Sequence, residues 1–385
     1  MIKILTILGA RPQFIKATAL HREIEANWKD QIREVVVHTG QHYDTNMSEV
    51  FFEELEMPNP AYNLGIGSAS HAKQTGAMLS ALEEIILREK PDAVLVYGDT
   101  NSTLAGALVA AKLQIPLIHV EAGLRYFNKS MPEEINRIVC DHCSTLLFTP
   151  TKAGLKNLKR EGIVNADQQN IQASSDHPRV YHCGDVMFDN TLHYSETAEK
   201  YIPWLNETGL EKGKYILATI HRENNTDNIE RLQSILSAMR DLGAKENLQI
   251  AFPVHPRTSK MMELIPDMKF LKTIKNNKNI KLIPPASFLQ MMLLEKHCVL
   301  VMTDSGGVQK EASFLKKPCI TLRHETEWVE LVESGVNILA DADESKIKNA
   351  FDLFKNKNEL NFPTVFGDGK AAKFICSKLV EVIAV

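Results

Sequence analysis

No apolar run in this sequence approaches the roughly 20 residues that a membrane-spanning helix requires. The apolar start, Ile2–Leu8, is interrupted by Lys3 and Thr6 and is shorter than the core of an export signal, so we predict a buried first strand there. Basic residues are not in excess, since 44 Lys and Arg stand against 48 Asp and Glu. We therefore expect a cytoplasmic protein that binds neither membrane nor nucleic acid.

The usual signatures of nucleotide cofactors and metals are also missing. The segment Gly65–Gly67 does not complete a dinucleotide-binding pattern, because Ser70 stands where the third glycine should be, and there is no Walker A motif. Cys140 and Cys143 form a CxxC, but no second pair lies at zinc-ribbon spacing. We interpret the cysteines as reduced, mostly buried thiols, and we expect no NAD, ATP or metal.

Short apolar runs alternate with longer helical patterns along the whole chain. Most of these runs are continuous, as in parallel strands that are covered by helices on both faces. The predicted strands are Ile2–Leu8, Glu34–Thr39, Ala93–Tyr97, Leu117–Val120, Leu146–Thr149, Tyr215–Ile220, Gln249–Val254, Ile280–Ile283, Val299–Met302, Cys319–Leu322 and Asn337–Ala340. The repetition predicts a doubly wound α/β fold.

The length of 385 residues indicates two domains. A polar segment, 164–179, interrupts the alternation and is predicted to be a loop. We predict Rossmann-like domains at 1–183 and 184–368, with the amphipathic last helix, 369–385, packing back on the first.

Polar and charged residues accumulate directly after the predicted strands. Ligands of open parallel sheets bind beyond the carboxyl ends of the strands, so these segments form the candidate site. The segments are Gly9–Lys16, Thr39–His42, Gly98–Thr103, His119–Arg125, Pro132–Arg137, Thr219–Asn224, Val254–Arg257, Thr303–Glu311 and Arg323–Trp328. If the two sheet edges face each other, they line one deep cleft, as in the GT-B architecture of nucleotide-sugar enzymes.

Three carboxylates of the first half suggest acid–base chemistry. Asp99 and Glu121 end hydrophobic strands, where an unpaired charge is unfavourable. An isolated Asp99 would more often cap the helix that begins near Asn101. Together with Glu121, Glu133 and His221, however, it favours acid–base catalysis.

Several cations accompany these carboxylates. Arg11, Lys16, Arg125 and Arg137 would offset the negative charge or hold phosphate, although each alone is explained by a surface position or an ion pair. His255 is interpreted as a structural residue or a nucleotide contact rather than as a base.

The segment Ser305-Gly306-Gly307 begins a helix after a buried strand and suits a diphosphate. Backbone N–H groups and the helix dipole favour anions there, and glycine allows close approach. A glycine turn with a serine N-cap explains the same residues equally well. Glu311, one turn further, could accept hydrogen bonds from ribose hydroxyls or could be a solvated helix residue.

The segments GARPQFIK, TGQH, GDTNST, HVEAGLR, PEEINR, HREN, HPR and DSGGVQKEA occur in this order along nearly the whole chain. Together they resemble the non-hydrolysing UDP-N-acetylglucosamine 2-epimerases. The resemblance implies a GT-B fold, a homodimer, no metal or NAD, and a role in cell-surface polysaccharide synthesis.

The resemblance also implies a reversible two-stage reaction. UDP is eliminated with loss of the C2 proton, and it then adds back while a proton reaches C2 from the opposite face. The family's catalytic positions carry over onto Asp99, Glu121, Glu133 and His221, with Arg11 assisting, and its nucleotide-binding positions onto Ser305, Gly306, Gly307 and Glu311.

Two departures from the family pattern bear on regulation and substrate. Relatives activated by their own substrate have QHRQ where this chain has Gln41–Asp44, and HRREN where it has His221–Asn224, so we hypothesise weak or absent substrate activation. The segments DSGGVQKEA, TEWVELV and TGQHYDTNMSE look closer to relatives acting on UDP-2,3-diacetamido-2,3-dideoxyglucuronate, which feed O-antigen or capsule synthesis. The sequence leaves these two substrates open.

Three other functions compete with this interpretation. A GT-B glycosyltransferase needs the same UDP site, but the carboxylates of the first half favour chemistry on the donor itself. A hydrolysing epimerase would differ by releasing UDP and free sugar. A non-catalytic nucleotide-sugar sensor is disfavoured because every candidate acid–base residue is retained.

Overall fold

The computed structural model describes residues 1–41, 52, 54–165, 171–357 and 359–384. They form two compact α/β units, Met1–Asn190 with Thr364–Val385, and Thr191–Pro363. The first division falls within a helix, a few residues after the predicted boundary at 183/184.

The first unit contains a parallel seven-stranded sheet. Its strands are Ile2–Leu8 (β1), Ile32–His38 (β2), Tyr62–Asn63 (β3), Ala93–Tyr97 (β4), Leu117–Val120 (β5), Leu146–Thr149 (β6) and Arg179–His182 (β7), in the order β3-β2-β1-β4-β5-β6-β7. The helices up to the division are Arg11–Glu23 (α1), His71–Glu89 (α2), Asn101–Lys112 (α3), Pro132–Cys143 (α4), Lys152–Arg160 (α5) and Val186–Thr197 (α6). A π-helical turn, Ile24–Trp28, extends α1.

The second unit contains a parallel six-stranded sheet. Its strands are Tyr215–Thr219 (β8), Gln249–Pro253 (β9), Ile280–Ile283 (β10), Leu300–Thr303 (β11), Cys319–Thr321 (β12) and Asn337–Leu339 (β13), in the order β10-β9-β8-β11-β12-β13. After the 3₁₀ turn Ala198–Tyr201, the helices are Ile202–Glu207 (α7), Glu223–Thr226 (α8), Ile229–Glu246 (α9), Pro256–Glu263 (α10), Met268–Lys275 (α11), Phe288–His297 (α12), Gly306–Phe314 (α13), Val329–Glu333 (α14) and Glu344–Lys355 (α15).

The last helix, Ala371–Ile383 (α16), belongs to the first unit and packs against α1. Its buried face includes Ile375, Cys376 and Leu379. The Asp189 carboxylate accepts the first N–H groups of this helix, 3.1 Å from the nitrogen of Ala371 and 2.9 Å from that of Ala372.

The central strands are apolar on both faces because helices cover both sides of each sheet, and β1 and β4 are almost wholly buried. Helix α3 lies unusually close to them. A Cβ on Gly106 would come within 2.8 Å of Ile7 Cδ1 and 3.0 Å of Val96 Cγ1, so a larger residue would force these side chains to shift. The predicted doubly wound α/β class with two Rossmann-like domains is confirmed.

Each sheet reverses its strand order once, between β1 and β4 in the first and between β8 and β11 in the second. Such switch points open a crevice at the carboxyl ends of the strands, where ligands bind. They are therefore the places to examine for a site.

The predicted strands, the predicted loop and the predicted lack of a membrane span can each be compared with the structure. The predicted strands agree with those observed to within a few residues, but β3 and β7 were not among them. The described parts of 164–179 hold neither helix nor strand until β7 begins at Arg179. Within the described ranges, none of the helices is both long and apolar enough to span a bilayer.

Candidate active site

The side chain of Gln13 joins β1 to β4 at the switch point of the first sheet. Its Oε1 accepts from the N–H groups of Gly9 (2.8 Å) and Ala10 (3.1 Å). Its Nε2 donates to the carbonyl of Tyr97 (2.8 Å) and to the hydroxyl of Thr103 (3.0 Å). The buried amide therefore has one defined orientation and holds the start of α1 against the end of β4.

Gly9 is required by close packing at the same point. A Cβ there would overlap the hydroxyl oxygens of Ser102 and Thr39, which lie 2.8 Å from each other. The Ser102 hydroxyl and N–H also donate to Gln41 Oε1, at 2.7 and 2.9 Å. These contacts bring the ends of β1 and β2 and the start of α3 together.

Two carboxylates lie beside this packed junction, and each forms an ion pair with a cation. Asp99 pairs with Arg137, and Glu121 pairs with Lys16. A Cβ on Gly98 would lie 3.4 Å from Lys16 Nζ and 3.5 Å from Glu121 Oε2, which places this second pair directly over the turn before Asp99. The structure thus brings four predicted site residues together.

Asp99 is not the helix cap that it would be if isolated. Thr100 is the N-cap of α3, and its side chain accepts from the N–H of Thr103 at 3.3 Å. The Asp99 carboxylate therefore pairs with Arg137 instead of capping the helix, and it remains a candidate for acid–base chemistry.

Burial raises the pKa of Asp99 above its ordinary value of 3.8, and the opposing charges of Arg137 and Lys16 do not cancel this effect. Glu121 and Glu133 raise it further. Glu133 is exposed in the first turn of α4, and its charge acts on Asp99 from there. A carboxyl with a raised pKa keeps its proton to higher pH, as a general acid must.

Helix α4 also supplies partners that the sequence analysis did not assign. Asn136 Nδ2 donates to the backbone carbonyl of Asp99 at 2.8 Å. Glu134 is buried and lies 3.2 Å from Arg137, whose guanidinium therefore bridges Glu134 and Asp99. The i,i+3 spacing within PEEINR was the available signal, because it places Glu134 and Arg137 on one face.

The other first-unit cations have different positions. Arg11 is the exposed first residue of α1. Arg125 has a side chain only 1% exposed, and it pairs with Asp141 (2.7 Å) and Glu161 (2.6 Å). Arg125 therefore does not offset the charge of Asp99 and Glu121 or face a phosphate, and the alternative of an ion-pair residue holds for it.

In the second unit, His221 lies at the switch point next to a buried carboxylate, Asp304. Asp304 accepts from the backbone N–H groups of His221 (3.1 Å) and Arg222 (3.0 Å) and from Asn225 Nδ2 (3.2 Å). It also lies 3.3 Å from His221 Nδ1. This arrangement favours a proton on Nδ1 and presents Nε2 on a side chain that is 40% exposed.

Asp304 was quoted within a motif but given no role by the sequence analysis. Its position directly after a buried strand was the same signal that identified Asp99. Its partners lie some 80 residues earlier in the chain, so the pairing depends on the fold.

His255 lies beside His221, with ring centroids 5.8 Å apart. It is the N-cap of α10, and its Nδ1 accepts from the N–H of Arg257 at 3.2 Å. Burial lowers the pKa of His255, and the nearby charges of His221 and Arg257 lower it further. A neutral ring in this position can cap the helix and leave Nε2 for a ligand.

The glycine segment forms the start of α13. Ser305 is its N-cap and accepts from the N–H of Val308 at 3.5 Å. A Cβ on Gly306 would overlap the Glu327 carboxylate, and the Gly306 carbonyl accepts from Trp328 Nε1 at 2.9 Å. Gly306 is therefore fixed by packing.

Gly307 is different, because a Cβ there would meet nothing closer than Ser305 Oγ at 3.8 Å. The space next to the helix N-terminus is thus open. Such a helix start offers unpaired N–H groups and a positive dipole end to an anion.

Glu311 is not a solvated helix residue. It is half-buried and forms a hydrogen bond with Glu295, a fully buried residue of α12. Burial raises the pKa of Glu295 well above its ordinary value, and the charge of Glu311 raises it further.

Metal ligands do not converge in the described ranges, where no group of three or more His, Cys, Asp or Glu side chains could hold an ion. The six cysteines are free thiols, and Cys140 is buried and Cys143 half-buried in α4.

Comparison with known proteins identifies the family. Residues 24–380 match the model of the UDP-N-acetylglucosamine 2-epimerase family. The chain belongs to this family. The predicted family and enzyme class, an isomerase that epimerises a UDP-sugar at C2, are thereby confirmed.

The chain is similar to individual epimerases over nearly its full length. It is 48% identical to a UDP-N-acetylglucosamine 2-epimerase homolog of Methanococcus maripaludis, covering 99% of both chains. It is 43% identical to the UDP-2,3-diacetamido-2,3-dideoxy-D-glucuronate 2-epimerase of Pseudomonas aeruginosa, covering 99% of this chain and 100% of the other.

Among solved structures, that of Methanocaldococcus jannaschii UDP-GlcNAc 2-epimerase in complex with UDP-GlcNAc and UDP matches with a TM-score of 0.82 and 43% identity. This match covers 99% of this chain and 100% of the other.

Proposed function

We propose that this epimerase interconverts the gluco and manno forms of a UDP-2-acetamido sugar without releasing free sugar. The observation that supports this most directly is the pair of ion-paired carboxylates, Asp99 with Arg137 and Glu121 with Lys16, at one switch point. A 2-epimerase must serve two faces of one carbon, and two separately held carboxylates can do so.

The chemistry starts from a C2 proton that is not acidic, because no carbonyl is attached to that carbon. The electron pair of the C2–H bond therefore forms the C1–C2 double bond as the C1–O bond to UDP breaks. We assign Glu121 as the base that takes the proton. Asp99, whose pKa is raised, returns a proton to the opposite face when UDP adds back at C1. In the reverse direction the two residues exchange roles.

The departing diphosphate gains negative charge as the C1–O bond breaks. We assign the N-terminus of α13, with Ser305, Gly306 and Gly307, to stabilise this charge. His221, oriented by Asp304, is assigned to contact the diphosphate, and Glu311 is assigned to bind the ribose hydroxyls. The first unit thus performs the acid–base steps and the second holds the nucleotide.

The remaining first-half residues have supporting roles in this proposal. Glu133 raises the pKa of Asp99, and Lys16 and Arg137 keep both carboxylates oriented. Arg11 and His255 are assigned to the substrate's phosphates.

The test is proton exchange in deuterated water, followed by NMR. We expect UDP-N-acetylglucosamine to yield the manno isomer with deuterium at C2 and no free sugar. Release of free sugar would indicate a hydrolysing epimerase. If exchange occurs only with UDP-2,3-diacetamido-2,3-dideoxyglucuronate, the Pseudomonas enzyme's substrate is also this protein's, and exchange with neither would overturn the proposal.

We propose that substrate activation is weak or absent. The motif difference at Gln41–Asp44 falls mostly on residues outside the described ranges, and the second difference is the single arginine of His221–Asn224. We expect a hyperbolic rate curve in the UDP-ManNAc direction. A sigmoidal curve that added UDP-N-acetylglucosamine makes hyperbolic would contradict this.

We also propose a cytoplasmic homodimer that serves cell-surface polysaccharide synthesis, as the family resemblance implies. Light scattering coupled to size-exclusion chromatography tests the dimer. A mass near 43.3 kDa at working concentration would show a monomer instead.

A further inference from the structure

Three charged side chains lie fully buried behind the catalytic carboxylates. His119 of β5 and Asp141 of α4 are 0% exposed, and Arg125 is 1% exposed. Buried charges are unfavourable unless they are paired, and removing one partner leaves the other uncompensated. The acid–base steps proposed above give none of the three a role.

The contacts of His119 fix its protonation state. Its Nδ1 lies 2.7 Å from Asp141 Oδ1, and its Nε2 lies 2.8 Å from the carbonyl oxygen of Gly98. Both partners can only accept a hydrogen bond, so a neutral ring would set a bare nitrogen against an acceptor on one side. Both ring nitrogens therefore donate, and His119 is an imidazolium.

The electrostatic surroundings agree with this geometry. Burial by itself lowers the pKa of His119, but Cys140 and Asp141 outweigh it, and the net shift is well upward. The Asp141 carboxylate has its pKa lowered, because its bonds to His119 and Arg125 outweigh its own burial.

Asp141 fixes the backbone on both sides of Glu121. Besides His119, which lies two residues before Glu121, it accepts from the N–H of Gly123 at 3.1 Å and from Arg125 at 2.7 Å. Glu121 has a φ of +74°, in the left-handed region that non-glycine residues rarely adopt. Such a conformation persists only where the surroundings enforce it.

His119 also reaches the turn that carries the other carboxylate. The carbonyl that accepts from Nε2 belongs to Gly98, which has a φ of +63° and directly precedes Asp99. One imidazolium is therefore bonded to the Asp99 turn through Nε2 and, through Asp141, to the segment around Glu121.

We propose that His119, held by Asp141, is a positioning residue that sets the distance between the carboxylates of Asp99 and Glu121. This inference rests on the proposed function, because those carboxylates are its acid–base pair. His119 does not contact the substrate. It acts by holding the turn before Asp99 and the segment around Glu121 in fixed relative positions.

Two substitutions of His119 each keep one of its two hydrogen bonds and remove the other. In His119→Asn the amide nitrogen can replace Nδ1 and keep the bond to Asp141, but the bond to Gly98 is lost. In His119→Gln the amide nitrogen can replace Nε2 and keep the bond to Gly98, but the bond to Asp141 is lost. Both variants remove the charge, so they differ mainly in which turn is released.

We expect kcat to fall roughly 100-fold in His119→Asn and about 10-fold in His119→Gln, since a displacement of about 1 Å at reacting groups has effects of this size. KM and the Kd for UDP should stay within about twofold, because the nucleotide is assigned to the second unit. The matched control is His21→Gln, which by the same logic loses the Nδ1 contact of a histidine with a carboxylate, that of Glu34 (3.0 Å), in the same unit. It should lower Tm without lowering kcat.

Loss of kcat that only follows Tm across all three variants would overturn the proposal, and so would wild-type kcat in His119→Asn. The protonation state is tested without turnover, by ¹⁵N NMR of histidine-labelled protein at pH 8. Two protonated ring nitrogens on His119 are expected, and a neutral ring would contradict the inference. If the wild type shows no C2 exchange on either UDP-sugar, the proposed function fails while this NMR result still stands.

Discussion

The six strands of the second sheet repeat the order of the first six strands of the first sheet, but the residues at the two switch points differ in kind. The first collects carboxylates that each pair with a cation, and the second collects histidines, a buried aspartate and an open helix N-terminus. The shared topology explains why a site forms at each edge. The difference between the edges fits our proposal that the side chains, and not the fold, decide which edge moves protons and which binds an anion.

Asp99 and Asp304 make this contrast specific, because both follow the strand next to the switch point. Asp99 has one guanidinium and two carboxylate neighbours, and burial raises its pKa. Asp304 accepts three N–H groups besides facing His221. We therefore propose that the first exchanges a proton, whereas the second is an acceptor held by several donors next to His221.

The largest expected effect is that of Asp99→Asn. The amide can neither deliver nor accept the C2 proton on its face of the sugar, so kcat for C2 exchange should fall about 1,000-fold, within the usual range for a general acid or base. UDP binding should be unchanged by calorimetry. A variant that keeps more than a tenth of wild-type kcat would remove Asp99 from the chemistry.

The same substitution should stabilise the protein at neutral pH. The folded-state pKa of Asp99 is raised, so its contribution to stability is present below its ordinary value of 3.8 and is lost as pH rises through the folded pKa. We expect Asp99→Asn to have the higher Tm at pH 7, with the gap narrowing toward pH 4. Equal Tm values across this range would indicate an unshifted carboxyl.

An intermediate effect is expected of Asp304→Asn. The change replaces a carboxylate that serves several buried donors, so the free energy of unfolding should fall by roughly 1–3 kcal/mol. The kcat should fall about 100-fold as His221 loses its orientation. The control is Asp227→Asn, which breaks an exposed pair with Arg257 and should leave kcat unchanged.

The smallest effect is expected of Gly307→Ala. The added methyl group enters open space, so Tm should stay the same or rise slightly, while it narrows the approach to the α13 N-terminus and raises the Kd for UDP about 10-fold. The control is Gly76→Ala in the interior of α2, where an added Cβ also meets no neighbouring atom. Its change in Tm should equal that of Gly307→Ala, and its Kd for UDP should equal that of the wild type. Unchanged affinity in Gly307→Ala would remove the diphosphate from this helix start.

The sequence predicted the strands well because their apolar runs follow directly from burial on both faces. It also named Asp99, Glu121, Lys16 and Arg137, which the structure brings together. It could not supply their pairing, because contacts such as Asp99 with Arg137 depend on the register of β4 and on where α4 begins.

The misjudged residue shows the same limit. Arg125 looks like a phosphate ligand in a charged motif, but it pairs with Asp141 and Glu161 and is buried. Glu134 and Asp304 were overlooked for the converse reason: each stands beside a more conspicuous residue, Glu133 or Ser305. Local pattern identifies the segment, but burial and long-range partners decide which side chain in it acts.

The position of α16 has a consequence for how the protein is made on the ribosome. This helix completes the core of the first unit against α1, yet residues 191–363 of the second unit are translated before it. During synthesis the apolar surface of α1 stays uncovered, and the core of the first unit stays incomplete, until Ala371–Ile383 has emerged. A ribosome that stalls while it translates the second unit would therefore leave an incompletely folded first unit with exposed apolar surface. Chaperones that bind nascent chains would bind such a surface.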